Sequence, residues 1–344
     1  MKLSTSRVSH PRRVVRAALT ALALSLSVST ASAQSAAKPV NMTIGSFVQG
    51  SSWYVYSVAL GELLRGTLPA GSTIDTPPIA GALANPNLVA SGKAQIAFGM
   101  AVVGNWAMEG KHAYKEPLPN LRALVGGWDD YYLVPLVRGK GVNPDLTNYF
   151  QKVQPKARVV LLQRGGVGAF GGQHLLDMAG AGESALASRG GSYEFGTFDM
   201  VKSRFAGGTA DVFVQVATLG HPSITEIAQN TDVTFMEPSK AVLDAMAKQY
   251  GWELRMLPAG TFPGQTKEIP LPGSTTVLFA STALSDDMAY NITKTVCEQT
   301  AKLRASHKAL SKFDCSDGKW KREVTGLPLH PGAERYFKEK GWLK

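Results

Sequence analysis

Residues 42–61 read MTIGSFVQGSSWYVYSVALG and predict a strand, a glycine-containing loop and the start of a helix. The first residues alternate apolar and polar side chains, as a half-buried strand does. The two serines before the apolar helical face suit a helix start, where a hydroxyl accepts a hydrogen bond from a free amide. A second such unit follows, with a strand at 158–162 and a glycine-rich turn at 165–168. This alternation predicts an α/β fold with largely parallel strands.

The composition excludes several classes of protein. The chain has 344 residues, of which 44% are hydrophobic and 18% charged, so it has material for a sizeable core and is not a disordered chain. At about 100–200 residues per domain, the length predicts two domains. The net charge is +10, but residues 1–33 hold five basic residues and no acidic one, which leaves +5 for the rest. No basic run follows, so we expect no nucleic-acid binding.

Residues 1–33 have the three parts of a secretory signal peptide. A basic region ends at Arg16, an apolar run occupies 17–28, and Ala31-Ser32-Ala33 offers small residues to a signal peptidase. The apolar run is 12 residues long, whereas a membrane-spanning helix needs about 20. We therefore predict cleavage after about Ala33 and export of the mature chain to the periplasm, with an uncleaved anchor as the alternative.

Export would place the two cysteines of the chain, Cys297 and Cys315, in an oxidising compartment. They are 18 residues apart and lack the CxxC spacing of a redox or metal site. A bridge closing such a loop would stabilise the fold by about 3 kcal/mol in the chain-entropy model. A disulfide and two separate thiols are both compatible with the sequence.

Motifs for catalysis and metal binding do not occur in the sequence. The histidines that follow residue 33 form neither an HExxH motif nor a pair four residues apart. The sequence also has no GxSxG elbow and no GxxxxGK[ST] phosphate loop. We therefore expect no metal, no cofactor and no enzymatic activity.

The glycine-rich run at 165–172, GGVGAFGG, allows three interpretations. It fits the GxGxxG dinucleotide motif only loosely, and it is compatible with a plain turn from strand to helix. A glycine turn that opens a helix also binds anions, because its amides converge on the positive end of the helix dipole. We favour a turn that lines a cleft and holds a small acidic ligand. By pattern alone, the chain is an exported two-domain α/β binding protein.

Six segments, in chain order, carry a resemblance to a known family. They are MTIGSFVQGSSWYVYSVALG at 42–61, NLVASGKAQIA at 87–97, the stretch 211–222 ending in Gly-His-Pro, the Pro-Gly-Gln loop within 261–270, the long late helix at 284–314, and LHPGA at 329–333 with Arg335-Tyr336. In these segments the chain resembles the TAXI-type solute-binding subunits of TRAP (tripartite ATP-independent periplasmic) transporters. The last of the six segments, LHPGA with Arg335-Tyr336, is the most specific.

The resemblance implies a two-lobe periplasmic-binding-protein fold, type II-like, with a hinged cleft between the lobes. Lobe I would comprise residues 34–137 and 270–300, lobe II residues 138–269, and residues 301–344 would form a C-terminal helical segment packed on the lobes. A small organic acid or amino acid would bind in the cleft and be delivered to the TRAP membrane subunits. We expect the protein to be a monomer.

The resemblance also assigns ligand-binding residues. The family's Gly-Gly-Thr-Tyr-Tyr corresponds to Gly50-Ser51-Ser52-Trp53-Tyr54, its Gln-Ser pair to Met100-Ala101, and its Gly-Ser-Gly-Thr turn to Gly165-Gly166-Val167-Gly168. These replacements remove several polar groups. We therefore expect a ligand that is bulkier or more apolar than glutamate and still carries a carboxylate for the amides near Ser51 and Gly168.

Four further residues are candidates for the same site. Arg164 flanks the glycine turn and would balance the ligand's charge, with a surface arginine as the alternative. Trp128, Tyr131 and Gln215 are candidate wall residues. Three other functions are also compatible with the sequence: a binding protein of this fold for an ABC importer or a sensor, an exported enzyme with an unrecognised site, and a degenerate scaffold without solute.

Overall fold

The computed structural model of the chain describes residues 39–78 and 81–344. The predicted signal peptide, residues 1–33, lies outside the described residues. Within these residues, no helix has the length and apolar character needed to cross a membrane. Their strands form an 11-stranded sheet with helices packed against it, which is a mixed α/β fold.

The strands are β1 Asn41–Gly45, β2 Thr73–Asp75, β3 Ile96–Met100, β4 Leu121–Val125, β5 Asp130–Arg138, β6 Arg158–Leu162, β7 Ser192–Gly196, β8 Val212–Ala217, β9 Val233–Phe235, β10 Glu253–Leu257 and β11 Ile269–Ser281. The helices are α1 Ser52–Arg65, α2 Asn85–Ala90, α3 Ala101–Glu109, α4 Leu146–Asn148, α5 Val167–Met178, α6 Glu183–Ser188, α7 Phe198–Ala206, α8 Pro222–Asn230, α9 Lys240–Tyr250, α10 Asp286–Glu298, α11 Thr300–Ser306, α12 Arg322–Thr325 and α13 Pro331–Glu339. A π-helical turn at Tyr149–Val153 follows α4, and a 3-10 turn spans Lys308–Leu310.

The sheet is parallel only towards its two ends. The strand order is β2-β1-β3-β11-β5-β8-β6-β7, with β4 and β10 also paired to β11 and β9 to β5. β1 runs parallel to β2 and β3, and β6 runs parallel to β7 and β8. Every pairing of β5 and β11 is antiparallel. The expectation of largely parallel strands is therefore wrong for the middle of the sheet.

β11 belongs to two groups of strands at once. Its residues 276–281 pair with β3 and β4, whereas its residues 269–275 pair with β10 and β5. We call β1–β4 with residues 276–281 the first half-sheet, and β5–β10 with residues 269–275 the second half-sheet. The chain crosses between them at 126–129 and again within β11.

The two crossings are hydrogen-bonded to each other. The Thr276 amide donates to the Asp129 carbonyl at 3.1 Å, and the Trp128 amide donates to the Thr276 carbonyl at 3.2 Å. Two crossing segments that lie side by side form a natural hinge between two α/β halves. This arrangement has the two halves and the interposed cleft that the sequence predicts for the fold.

The crossings lie at other residues than the predicted lobe boundaries. β5 is hydrogen-bonded to β8 and β9, so residues 130–137 belong to the second half-sheet and not to lobe I. Residues 270–275 likewise pair with β10 and β5. The predicted boundary between residues 137 and 138 coincides with the end of β5 and not with a crossing. The apolar sequence of β5 did not reveal this, because a buried strand has such a sequence in either half.

Candidate functional site

A cavity of about 550 Å³ opens between the two half-sheets. The first half-sheet contributes the loop that precedes α1, the residues before α2 and the end of β3. The second contributes the β6–α5 turn, the start of α7, the end of β8 and the start of α8. The lining residues are Phe47, Val48, Gln49, Gly50, Ser51, Trp53, Gly81, Ala82, Ala84, Met100, Tyr131, Leu162, Gln163, Arg164, Gly165, Gly166, Val167, Gly168, Ala169, Gly196, Thr197, Phe198, Asp199, Lys202, Gln215, Val216, His221 and Ser223.

The N-terminus of α1 reaches the cavity from the first half-sheet. Ser51 is its N-cap, and the Ser51 hydroxyl accepts a hydrogen bond from the Tyr54 amide at 3.2 Å. The other amides of a first helical turn have no partner within the helix. Trp53 lines the cavity, and its indole Nε1 donates to the Thr276 hydroxyl at 2.9 Å. The Tyr131 ring meets the Trp53 ring edge-on at 5.6 Å between centroids.

The N-terminus of α5 reaches the cavity from the second half-sheet. Its N-cap, Gly166, makes no side-chain hydrogen bond to the first turn. The amides of that turn are therefore available to an anion in the cavity. Gly165 has φ +87°, a conformation that glycine adopts without strain. Gly168 is notable for a different reason, because a Cβ there would overlap Oε1 of the buried Gln215 side chain as it is placed.

Two buried polar side chains of the cavity wall have atoms without hydrogen-bond partners. Gln215, in β8, is 4% exposed, and its Oε1 has no partner in the structure. His221 precedes α8, is 5% exposed, and has an unpartnered Nδ1. Burial lowers the pKa of His221 to about 4, so the ring is neutral at pH 7. A ligand that supplies the missing hydrogen bond removes the energetic cost of such unsatisfied buried atoms and thereby stabilises the complex.

Both cationic side chains of the cavity wall already have carboxylate partners. Arg164 contacts Glu183 at 3.0 Å, and its guanidinium lies 3.7 Å from the centroid of the Phe195 ring. Lys202 contacts Asp199 at 2.9 Å and Glu226 at 3.1 Å. The apolar and aromatic part of the wall consists of Phe47, Val48, Trp53, Ala82, Ala84, Met100, Tyr131, Leu162, Val167, Ala169, Phe198 and Val216.

The structure gathers most of the sequence-predicted residues around this cavity. Gly50, Ser51, Trp53, Met100, Tyr131, Arg164, Gly165, Gly166, Val167, Gly168 and Gln215 line it. Ser52, Tyr54, Ala101 and Trp128 are outside the lining. Trp128 lies in the first crossing, where it is buried and its ring stacks on the Phe313 ring at 4.9 Å between centroids.

Some lining residues were absent from the sequence-based assignment. His221 lies in the Gly-His-Pro turn that carried part of the resemblance, and that turn was the one signal for it. Phe198, Asp199 and Lys202 come from α7, where no motif or resemblance pointed to a site. Among the described residues, no group of three or more His, Cys, Asp or Glu is placed to hold a metal ion.

Comparison with known proteins identifies the family of the chain. Residues 44–341 match the NMT1-like family. The chain belongs to the NMT1-like family.

Solved structures similar to this NMT1-like chain include periplasmic binding proteins. MatC from Rhodopseudomonas palustris, solved with bound malate, is 14% identical, with a TM-score of 0.50 over 88% of this chain and 97% of MatC. The periplasmic binding protein BugD is 16% identical, with a TM-score of 0.48 over 89% and 94%. The aliphatic sulphonate binding protein SsuA from Escherichia coli is 12% identical, with a TM-score of 0.41 over 78% and 79%. The match to MatC and the two half-sheets with a cavity between them agree with the two-lobe fold that the sequence predicted.

The cleft of this NMT1-like chain suits a small amphipathic anion. Two helix N-termini, from α1 and α5, supply free amides and the positive ends of two helix dipoles. The two lining cations are already neutralised, so these amides are the uncompensated positive groups of the site. The remaining wall is largely apolar, with hydrogen-bonding atoms at Gln215 and His221.

Proposed function

We propose that the protein is an extracytoplasmic solute-binding protein for a small organic acid or amino-acid-like solute. The observation that carries this proposal is the cavity between the half-sheets, with the N-termini of α1 and α5 at its wall. A carboxylate accepts hydrogen bonds from such amides and is stabilised by the helix dipoles. MatC, which shares the fold, was solved with malate, a small organic acid.

The solute is bulkier or more apolar than glutamate. Trp53, Met100, Leu162 and Phe198 line the cavity with large apolar surfaces. A glutamate side chain would place a second charge against this surface, whereas Arg164 and Lys202 are already paired with carboxylates. An aliphatic or aromatic acid would instead bury its body there.

We further propose that the protein acts in the periplasm as a TAXI-type subunit that delivers the solute to TRAP membrane subunits. The support is the resemblance of the six sequence segments, above all LHPGA at 329–333. In this scheme the half-sheets are the two lobes, and closure about the crossings encloses the solute.

Thermal unfolding of the purified protein against a library of carboxylates, amino acids, aromatic acids and sugars tests the proposal. A ligand present at 100 times its Kd stabilises a protein by about 2.7 kcal/mol, which raises Tm by about 5 °C at this size. We expect such a rise with one class of acid and none with sugars. A well-folded protein whose Tm responds to no acid would contradict solute binding.

A pair of glutamine variants locates the bound solute. Gln215→Ala removes a lining amide, whereas Gln173→Ala makes the same change on α5 outside the lining. We expect Gln215→Ala to weaken the affinity for the acid by about tenfold, the equivalent of one hydrogen bond. Gln173→Ala should leave the affinity unchanged. Equal affinities for both variants would place the solute elsewhere.

A further inference from the structure

A carboxyl group is buried behind the cavity wall, where the chain first crosses between the half-sheets. Asp129 is 7% exposed, and the Tyr56 hydroxyl donates to its Oδ2 at 2.7 Å. Its Oδ1 is buried and makes no hydrogen bond within the described residues, although the Thr276 and Thr218 hydroxyls lie near the carboxyl. An ionised carboxylate in this position would bury a charge with one oxygen unsatisfied, which is energetically costly.

Among the described residues, the charged side chain that acts most on Asp129 is Asp130 in β5, which is itself negative. The groups that face it from the packed elements are Tyr56 in α1, Tyr131 in β5, Thr276 in β11 and Thr218 after β8. His307 meets the Tyr56 ring at 5.3 Å, and burial lowers the pKa of this histidine. Burial raises the pKa of Asp129 to about 7, although the Thr276, Tyr56 and Thr218 hydroxyls oppose the rise.

Asp129 is connected to the cavity wall through both crossings. Its carbonyl accepts the Thr276 amide at 3.1 Å, and the Thr276 hydroxyl accepts the Trp53 indole N–H at 2.9 Å. Trp53 lines the cavity. The Asp129 carboxyl accepts the hydrogen bond of Tyr56, which lies one helical turn beyond Trp53 in α1. Asp129 thus contacts α1 through its side chain and the second crossing through its backbone, so a rearrangement around its carboxyl reaches both.

We propose that Asp129 is a proton-binding positioning residue: in its neutral form it tolerates the buried, unpartnered Oδ1 and leaves α1 packed on the two crossings, whereas ionisation requires a partner for Oδ1, opens this packing and moves Trp53. Proton uptake then fixes the cavity wall, and proton release frees it. This property involves no solute and can be tested independently of the proposed function.

The first test compares the wild-type protein, Asp129→Asn and the matched control Asp130→Asn by Tm between pH 4.5 and 8.5. An aspartate in water has an ordinary pKa of 3.8, and burial raises that of Asp129 to about 7 in the folded protein. The wild-type protein therefore loses stability as the pH rises from about 4 to about 7, and Asp129→Asn does not. We expect Tm of Asp129→Asn minus that of the wild type to increase by about 5 °C across this range. Asp130 is half-exposed and paired with Arg255. The Tm of Asp130→Asn minus that of the wild type should therefore not show this increase with pH. A pH-independent difference for Asp129→Asn overturns the proposal.

The second test decides the matter even where Asp129→Asn does not fold. Tyr56→Phe removes the hydrogen bond that favours the ionised carboxyl, so the pKa of Asp129 should rise and the pH at which the loss of stability ends should move above 7. An end point that stays in place overturns the proposal.

The link to the cavity is read from tryptophan emission in a Trp128→Phe background, because Trp128 adjoins Asp129 and stacks on Tyr56 at 6.2 Å between centroids. The emission should change near pH 7 in that background and lose the change when Trp53→Phe is added. An emission change that persists would overturn the coupling to the cavity wall.

Discussion

At the scale of single residues, the site depends on how closely Gln215 approaches the first turn of α5. Gly168 leaves no room for a side chain, because Oε1 of Gln215 occupies the place of its Cβ. The Gln215 amide thus lies against the helix N-terminus that we assign to the ligand's carboxylate. The glycine is needed for this contact and not for its backbone conformation, since Gly168 has no positive φ.

Gly168→Ala should therefore destabilise the protein, although alanine normally favours a helix. Overpacking of a filled site costs about 1–3 kcal/mol, and urea unfolding measures the loss. Gly166→Ala, in the same turn, meets one carbonyl oxygen at 3.3 Å and serves as the control. Gln215→Ala in combination with Gly168→Ala should restore stability. Failure of this rescue would show that the clash lies with another group.

Part of the candidate site was assigned from the sequence. The turn at 165–168 and Trp53 correspond to motifs of the family that the chain resembles, and Gln215 was a candidate wall residue; all of them line the cavity. Asp129 and His221 were not assigned, because their importance comes from burial. Asp129 becomes buried only when Tyr56 and Thr276, 73 and 147 positions away in the chain, pack around it. A single sequence does not show such long-range packing.

At the scale of elements, the late helices are joined by a covalent bond. The structure pairs Cys297, near the end of α10, with Cys315, which follows the 3-10 turn. The bridge closes over α11 and holds Phe313 beneath Trp128, behind the crossings. The disulfide thus connects the C-terminal segment to the hinge region.

Removal of this bridge should lower Tm. Closure of a loop of this length contributes about 3 kcal/mol in the chain-entropy model, or about 6 °C at this size. We expect this loss for the double variant Cys297→Ala/Cys315→Ala and for the wild type in reductant. Reductant should leave the double variant unchanged. A wild-type protein with free thiols and an unaltered Tm would contradict this expectation.

At the scale of the whole molecule, an aromatic contact joins the halves in addition to the crossings. Trp106 of α3, which follows β3, meets Phe170 of α5 at 5.2 Å and Trp252 at 6.0 Å between centroids. Its indole N–H donates to the Tyr250 carbonyl at 2.6 Å. This contact holds the helices of one half against those of the other beside the cavity.

Trp106→Ala should cost about 3–5 kcal/mol in the free energy of unfolding, as buried tryptophans do when truncated. Trp106→Phe keeps a ring in place and loses the hydrogen bond to Tyr250, so its cost should be about 1 kcal/mol. Urea unfolding monitored by circular dichroism measures both. A Trp106→Ala protein within about 1 kcal/mol of the wild type would show that the contact contributes little.

The sequence predicted two α/β halves and a cleft, but it did not predict where the chain passes between them. The strand–loop–helix pattern at 42–61 is local, and so are the glycine turn and the caps, which is why those elements were found. The crossings depend on pairing between β5, β8 and β11, whose partners are far apart in the chain. The apolar run at 131–137 fits either half, so local pattern did not assign it.

The shared strand β11 also limits when either half-sheet can be completed. β3, β4 and β5 all pair with β11, and β11 is synthesised more than 130 residues after the end of β5. Until then their open edges are available for pairing with other chains. A nascent or truncated chain that ends before residue 269 lacks a strand of both half-sheets. Completion of either half-sheet therefore comes late in synthesis, and pairings over such sequence distances form slowly.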